Sequence, residues 1–182
     1  VITISLRTIF NWIYLQAVLF YLVWFAAVKA AGIPESELAA IVLLGSFTLA
    51  SLLQVSCNRV RELQSIIAIT VLGSTVDAII VFCGYVSFPA TSLYLGNYPL
   101  WMIGMWTSFA TLYSTGLYWM RDKKMLQILF GALGGPLSLY AATALGAVTF
   151  PRAMIETVIV IGLEWGAIMP MSWWLYKRAR LY

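Results

Sequence analysis

The stretch LQILFGALGGPLSLYAATALGAV, Leu126 to Val148, decides how the rest of the chain is read. It is apolar and long enough to cross a bilayer, which takes about 20 residues of helix. Gly131, Gly135, Ser138, Ala142 and Gly146 recur in it at helical spacing, so one face is nearly bare backbone. Such a face lets a second helix come close, and inside lipid that close packing holds helices together because water supplies no drive there. Pro136 removes one backbone donor, crowds the preceding turn and leaves the carbonyl of Ala132 short of its partner. A lipid-facing position cannot make good that loss, so this helix is expected inside a bundle.

Composition agrees with that reading. The chain has 182 residues, of which 62% are hydrophobic and 10% charged, and its mean hydropathy is +0.90. That leaves too little polar surface to cover a soluble domain, and an all-α integral membrane protein is the class that fits. Histidine is absent, which removes the commonest metal ligand, the commonest general base and the usual haem ligand, so neither metal nor cofactor is expected. Cys57 and Cys83 form no C-x-x-C pair and read as small hydrophobes.

Taken in order, windows of about 20 apolar residues predict six spanning helices over about 9–30, 36–56, 65–86, 100–120, 126–148 and 153–176, a single transmembrane domain. The first carries Asn11, Trp12, Tyr14 and Gln16 early and ends at Lys29. It reads as a retained helix, since its apolar core is too long for a signal peptide and no charged cluster opens it. Residues 58–64 read as a polar link bearing Arg59, Arg61 and Glu62, and 87–99 as an uncharged aromatic loop at the interface. Nine of the eleven basic residues then share a side: Arg7, Arg59, Arg61, Arg121, Lys123, Lys124, Lys177, Arg178 and Arg180. The positive-inside rule puts both termini in the cytoplasm and accounts for the net charge of +4 without nucleic acid. Trp101, Trp106, Trp119 and the Trp173-Trp174 pair are expected in interfacial belts, in contact with lipid headgroups rather than pigment or quinone.

Few residues remain that can carry chemistry. Asp77 and Glu164 lie near the midpoints of the third and sixth helices, with no lysine or arginine at that depth. A carboxylate near the midplane has to face the interior, pair, or take up a proton. Ser74, Thr107, Thr111, Ser114 and Thr115 supply hydroxyls on the third and fourth helices and complete the expected polar interior. Glu156 reads either as the mouth of the same region or as an interfacial partner of Arg152. Gly162-x-x-x-Gly166, with Pro170 beyond it, faintly echoes Gly131-x-x-x-Gly135-Pro136 and reads as a second packing face.

The blocks Leu72-Gly73-x-x-x-Asp77 with Gly84 and Phe88, Pro99-Leu100-Trp101, Phe109-Ala110-Thr111, Gly131-Ala132, Gly135-Pro136-Leu137-Ser138 and Leu145-Gly146-Ala147 occur in order along most of the chain. Together with Asn11 and the stretch from Leu19-Phe20 to Trp24-Phe25, they resemble the bacterial inner-membrane family known as domain of unknown function 2878. The resemblance implies a small multi-pass protein of the Gram-negative inner membrane, with Asp77 and the Gly135-Pro136 turn inside the family pattern. It implies no established activity, only an association with loci that modify membrane fatty acyl chains. Where the resemblance leads one to expect Asn-His-Ser, this chain has Ser114-Thr115-Gly116, so histidine chemistry is not carried over.

Three functions are compatible with these residues, and the first, an accessory role in a membrane complex near lipid metabolism, leads. A chain with several small-residue faces suits an accessory, scaffold or assembly subunit, with a protein partner or a second copy as well as lipid around it. Asp77 and Glu164 suit a proton- or cation-coupled carrier. The same two acids could divide acid and base roles in an enzyme acting on lipid acyl chains, although no nucleophile or metal cluster accompanies them.

Overall fold

The computed structural model describes residues 6–54, 58–89 and 93–180, with side chains from Leu15 onward. Cys57, the end of the expected second span, and the side chains of Arg7, Asn11, Trp12 and Tyr14 lie outside the described residues. Among the described residues six α-helices follow one another: α1 (Leu6–Ala31), α2 (Glu37–Gln54), α3 (Arg59–Phe82), α4 (Leu100–Ala110), α5 (Lys124–Ala144) and α6 (Met154–Ala179). A two-stranded hairpin, β1 (Tyr94–Leu95) and β2 (Tyr98–Pro99), precedes α4. Four of the helices, α2, α3, α5 and α6, are long and apolar enough to cross a membrane.

Three differences from the sequence reading have a local reason, and α3 besides ends at Phe82 rather than near residue 86. The expected polar link at 58–64 is mostly helix, because the side chain of Asn58 caps α3 by accepting from the backbone N–H of Arg61 at 3.2 Å. Arg59, Arg61 and Glu62 therefore sit in its first turn.

The expected span over 100–120 is not one helix. It stops at Ala110 and continues as two short 3-10 turns, Thr111–Ser114 and Tyr118–Met120. The hydroxyls of Thr111, Ser114 and Thr115 turn back onto the carbonyls of Ser108 and Thr111 at 2.7 to 3.2 Å, offering the backbone an alternative to the helical ladder. Thr115 then leaves helical geometry with φ −129° and ψ −102°.

Third, α5 ends at Ala144, so Gly146 does not lie on its packing face. It takes φ +78° while Ala147 and Gly146 donate back to Ala142 and Thr143, a closure that favours a residue without Cβ.

The links meet at the two ends of the bundle. At one end Ser87 and Thr149 exchange backbone hydrogen bonds at 3.0 and 2.8 Å, tying the α3–α4 connection to the α5–α6 connection. Gly32, after α1, lies so close to them that a Cβ there would stand 2.2 Å from the carbonyl oxygen of Leu145. At the other end Arg180 pairs with the buried Glu62, Arg61 donates to the carbonyl of Arg180, and Lys177 reaches Asp122 at 2.8 Å.

Between the ends the core is strongly aromatic. Trp101, Trp106 and Trp173 are buried inside the bundle rather than in a belt, whereas Trp119 and Trp174 are exposed. The buried indoles pack on neighbouring rings, Trp106 edge-on to Phe109 and Trp173 tilted against Tyr113 at 4.8 Å between centroids.

Candidate functional site

The site begins with a missing side chain. Gly73 stands one turn before Asp77 on α3, and a Cβ on it would fall 2.2 Å from the Trp106 ring. The glycine thus makes the slot in which the α4 indole lies. Seated there, Trp106 donates its Nε1–H to Asp77 Oδ2 at 2.6 Å. Tyr98, brought in by β2, donates its hydroxyl to the same oxygen at 3.1 Å. Ser74 stands beside the Tyr98 hydroxyl.

From the opposite side α6 brings Glu164, whose carboxyl faces that of Asp77 while its Oε1 has no hydrogen-bond partner in the protein. The next residue, Trp165, stacks on Trp106 with ring centroids 4.9 Å apart and planes 20° apart.

This second indole is what the bare face of α5 receives. A Cβ on Gly135 would lie 2.3 Å from Trp165 Cγ, and one on Gly131 would lie 2.2 Å from the Trp165 carbonyl oxygen. Gly162 and Gly166 of α6 look back at Ala132, Gly162 so closely that a Cβ would stand 3.1 Å from its carbonyl oxygen. The carbonyl that Pro136 leaves unpaired within α5 therefore lies against the backbone of α6. Ala142 is buried on the same helix, and Ser138 is half-buried with its hydroxyl on the Gly135 carbonyl at 2.8 Å.

Around the acids lies a cavity of about 300 Å³, lined by α1, α3, α4, α5, α6 and the start of the α3–α4 connection. Its walls are apolar and rich in aromatic rings, including Phe20, Trp24, Trp101 and Phe130; among the described residues Asp77 and Glu164 are its only charged-type lining. It is partly open, with the exposed Tyr21 on the α1 side and Gly134 of α5, beside which there is free space, on the other. With no lysine or arginine among the described residues of the lining, the facing carboxyls need a proton between them or a cation from outside. Among the described residues no third acid, histidine or cysteine joins them within reach of a shared metal ion.

The structure does not bring the hydroxyls expected on the fourth span to this place. Thr107 donates to the Gly104 carbonyl at 2.8 Å and meets Thr48 of α2, while Thr111, Ser114 and Thr115 are satisfied by their own backbone. Glu156 pairs with Arg152 at 3.3 Å in an exposed position and does not line the cavity. Its carboxylate, hydrogen-bonded to the Tyr85 hydroxyl, holds that phenol above its ordinary pKa. Sequence reasoning missed Tyr98, Trp106 and Trp165 as site residues. The one available signal was Gly73, since a glycine one turn from a buried acid marks where something bulky lies against the helix.

The family model described as "Protein of unknown function (DUF2878)" matches residues 13–171. No curated protein and no solved structure gives a significant match. The chain belongs to the DUF2878 family.

Proposed function

We propose that this member of the family is a small carrier of the bacterial inner membrane. In this reading it binds a lipophilic molecule bearing one protonated amine or comparable donor, with Asp77 and Glu164 as the recognition point. The observation that carries it is the pairing of an aromatic cavity with two facing acids and, among the described residues, no lining cation.

The chemistry follows from the solvent. A ligand's apolar body gains little by moving from lipid tails into an apolar cavity, so selectivity has to come from the polar group. A cation answers the two acids, and indole and phenyl faces around them favour it further. The volume is at the small end of ligand pockets, and access between α1 and α5 suits a molecule arriving from within the bilayer.

The topology that goes with this function is six crossings with both termini in the cytoplasm. Three features support it: the α1–α2, α3–α4 and α5–α6 links gather at one end, the α2–α3 and α4–α5 links with the end of α6 gather at the other, and nine of eleven basic residues belong to the second group once Arg7 is included.

The test is a titration of the purified protein in lipid nanodiscs with dodecylamine, dodecanol and dodecanoate, read by tryptophan fluorescence. The amine is expected to bind at least about tenfold more tightly than the other two, the equivalent of about 1.4 kcal/mol, and Glu164→Gln to abolish the difference. Equal responses to all three probes refute the carrier. A protein recovered in stoichiometric amount with the chain would favour the accessory-subunit reading instead, and consumption of an acyl chain the enzyme.

A further inference from the structure

The buried polar atoms that lack a hydrogen-bond partner are not scattered. Among the described residues there are eight, and all lie on α3 and α6, which pack against each other. On α3 they belong to Glu62, Thr70 and Ser74; on α6 to Glu164, Trp165, Ser172, Trp173 and Tyr176. Orphaned groups are costly in a bilayer, where no solvent can reach them from the side; two of the eight, the Trp165 and Trp173 indoles, pack against α5 and the Tyr113 ring, and the other six call for a common cause.

Their order along the helices suggests it. Arg180 meets Glu62 at one end and Glu164 meets Asp77 further in, so α3 and α6 run antiparallel and their levels can be matched. Along α3, the steps from Glu62 to Thr70, from Thr70 to Ser74 and from Ser74 to Asp77 rise about 12, 6 and 4.5 Å. On α6, Tyr176 stands one turn inward from Arg180 and Ser172 a further turn inward, at the level of Thr70, so the long first step is divided in two. Successive groups are then about 6 Å apart along the axis. A single water making a hydrogen bond of about 2.8 Å to each neighbour bridges nearly that span.

We infer that the α3–α6 seam is a proton path, completed by internal water, joining the acid pair to the membrane face that carries Glu62 and Arg180. A proton enters at Glu62, passes by way of Tyr176, Ser172, Thr70 and Ser74, and exchanges with the carboxyls of Asp77 and Glu164. No bond other than O–H is made or broken.

The opposite face is closed to this exchange, because Tyr98 on the hairpin is buried over Asp77 and holds its oxygen. The groups facing the path are few. Tyr98 faces the pair; Tyr113, from the first 3-10 turn, stands beside Ser172; Arg180 and, more remotely, Arg121 act on Tyr176 at the outer end. The inference needs α3 and α6 to cross the bilayer, but it holds whether or not an amine occupies the cavity.

The experiment uses the full chain in vesicles sorted by an affinity tag into those with C-termini outward and those with C-termini inward. External pH is jumped, and the infrared C=O band of protonated carboxyl, assigned by its change in Asp77→Asn and Glu164→Gln, is followed in time. The band should respond at least about tenfold faster when the face carrying Glu62 and Arg180 meets the jump, a barrier difference of one decade. Thr70→Val combined with Ser172→Ala should slow that response by a similar factor while leaving its midpoint, and the binding of dodecylamine, unchanged.

Equal rates from the two faces overturn the inference, as do rates unmoved by the double substitution in a protein that stays monodisperse. Absence of any such band from the wild type does so too. Failure of amine binding alone refutes the carrier and leaves the path standing.

Discussion

The seam between α2 and α4 and the seam between α3 and α6 use similar polar side chains to opposite effect. In the first, Thr48 and Ser108 approach to 3.0 Å and both donate to the Leu44 carbonyl, while Thr107 and Thr111 close onto their own helix. In the second, Thr70, Ser74 and Ser172 are buried or half-buried and close no well-formed hydrogen bond, although Ser74 stands beside the Tyr98 hydroxyl and Ser172 beside that of Tyr113. A hydroxyl that has found a carbonyl is adhesive between helices and has nothing left to offer a ligand. One that has not still needs something, and in this protein such groups lead to the acids.

The strongest way to break this comparison is to collapse the site's walls. Gly131→Leu drives a side chain into the backbone carbonyl of Trp165, which cannot rotate away, so about 3 kcal/mol or more of strain is expected. Leu133→Ile changes a side chain that is 64% exposed toward lipid and should be nearly neutral. Yield of monodisperse protein measures both. Equal yields would mean that α5 is peripheral and the Trp165 slot unimportant.

Removing single hydrogen bonds sharpens the contrast between the seams. Trp106→Phe leaves a smaller ring in the slot and takes away the donor to Asp77, with an expected cost of about 3 kcal/mol from the gap and the lost hydrogen bond together. Ser108→Ala deletes one member of a cluster whose other groups can regroup, with an expected cost of about 0.6 kcal/mol. Unfolding midpoints in one detergent rank the two, and the reverse order would make the α2–α4 hydroxyls the more important set.

The smallest effect lies at the exposed Asp122, in the link between α4 and α5. Lys177, and after it Arg121, hold this carboxyl below its ordinary pKa of 3.8. An acid depressed in the folded state contributes stability that is complete above its unfolded pKa and is lost as pH falls through the folded one, so the loss begins below about pH 4. The pair is well exposed and its contribution is correspondingly small. Thermal midpoints recorded on acidification should fall slightly less steeply for Asp122→Asn than for wild type; identical curves would show that the contact is without consequence.

What the sequence made legible was depth and spacing. Asp77 and Glu164 could be placed near one level because each sits midway along an apolar run. Gly131 and Gly135 could be read as a contact face because helical periodicity puts them together. What it hid was direction. Thr107, Thr111, Ser114 and Thr115 share an apparent face only if one helix runs through them, and the back-bonding of the last three accompanies its end at Ala110. Tryptophan positions along a span do not say whether the indole points to lipid or to the interior. Trp106 was therefore legible only indirectly, through the gap that Gly73 leaves for it.

That pair of indoles has a further consequence. Two chromophores at van der Waals separation and fixed mutual tilt share their excitation, so Trp106 and Trp165 should give a paired signal in circular dichroism that isolated tryptophans do not. Since one of the two is hydrogen-bonded to Asp77, whatever changes the charge or position of that carboxyl changes the signal. The protein thus carries an optical gauge at its centre, and the state of the acids can be followed without attaching any label.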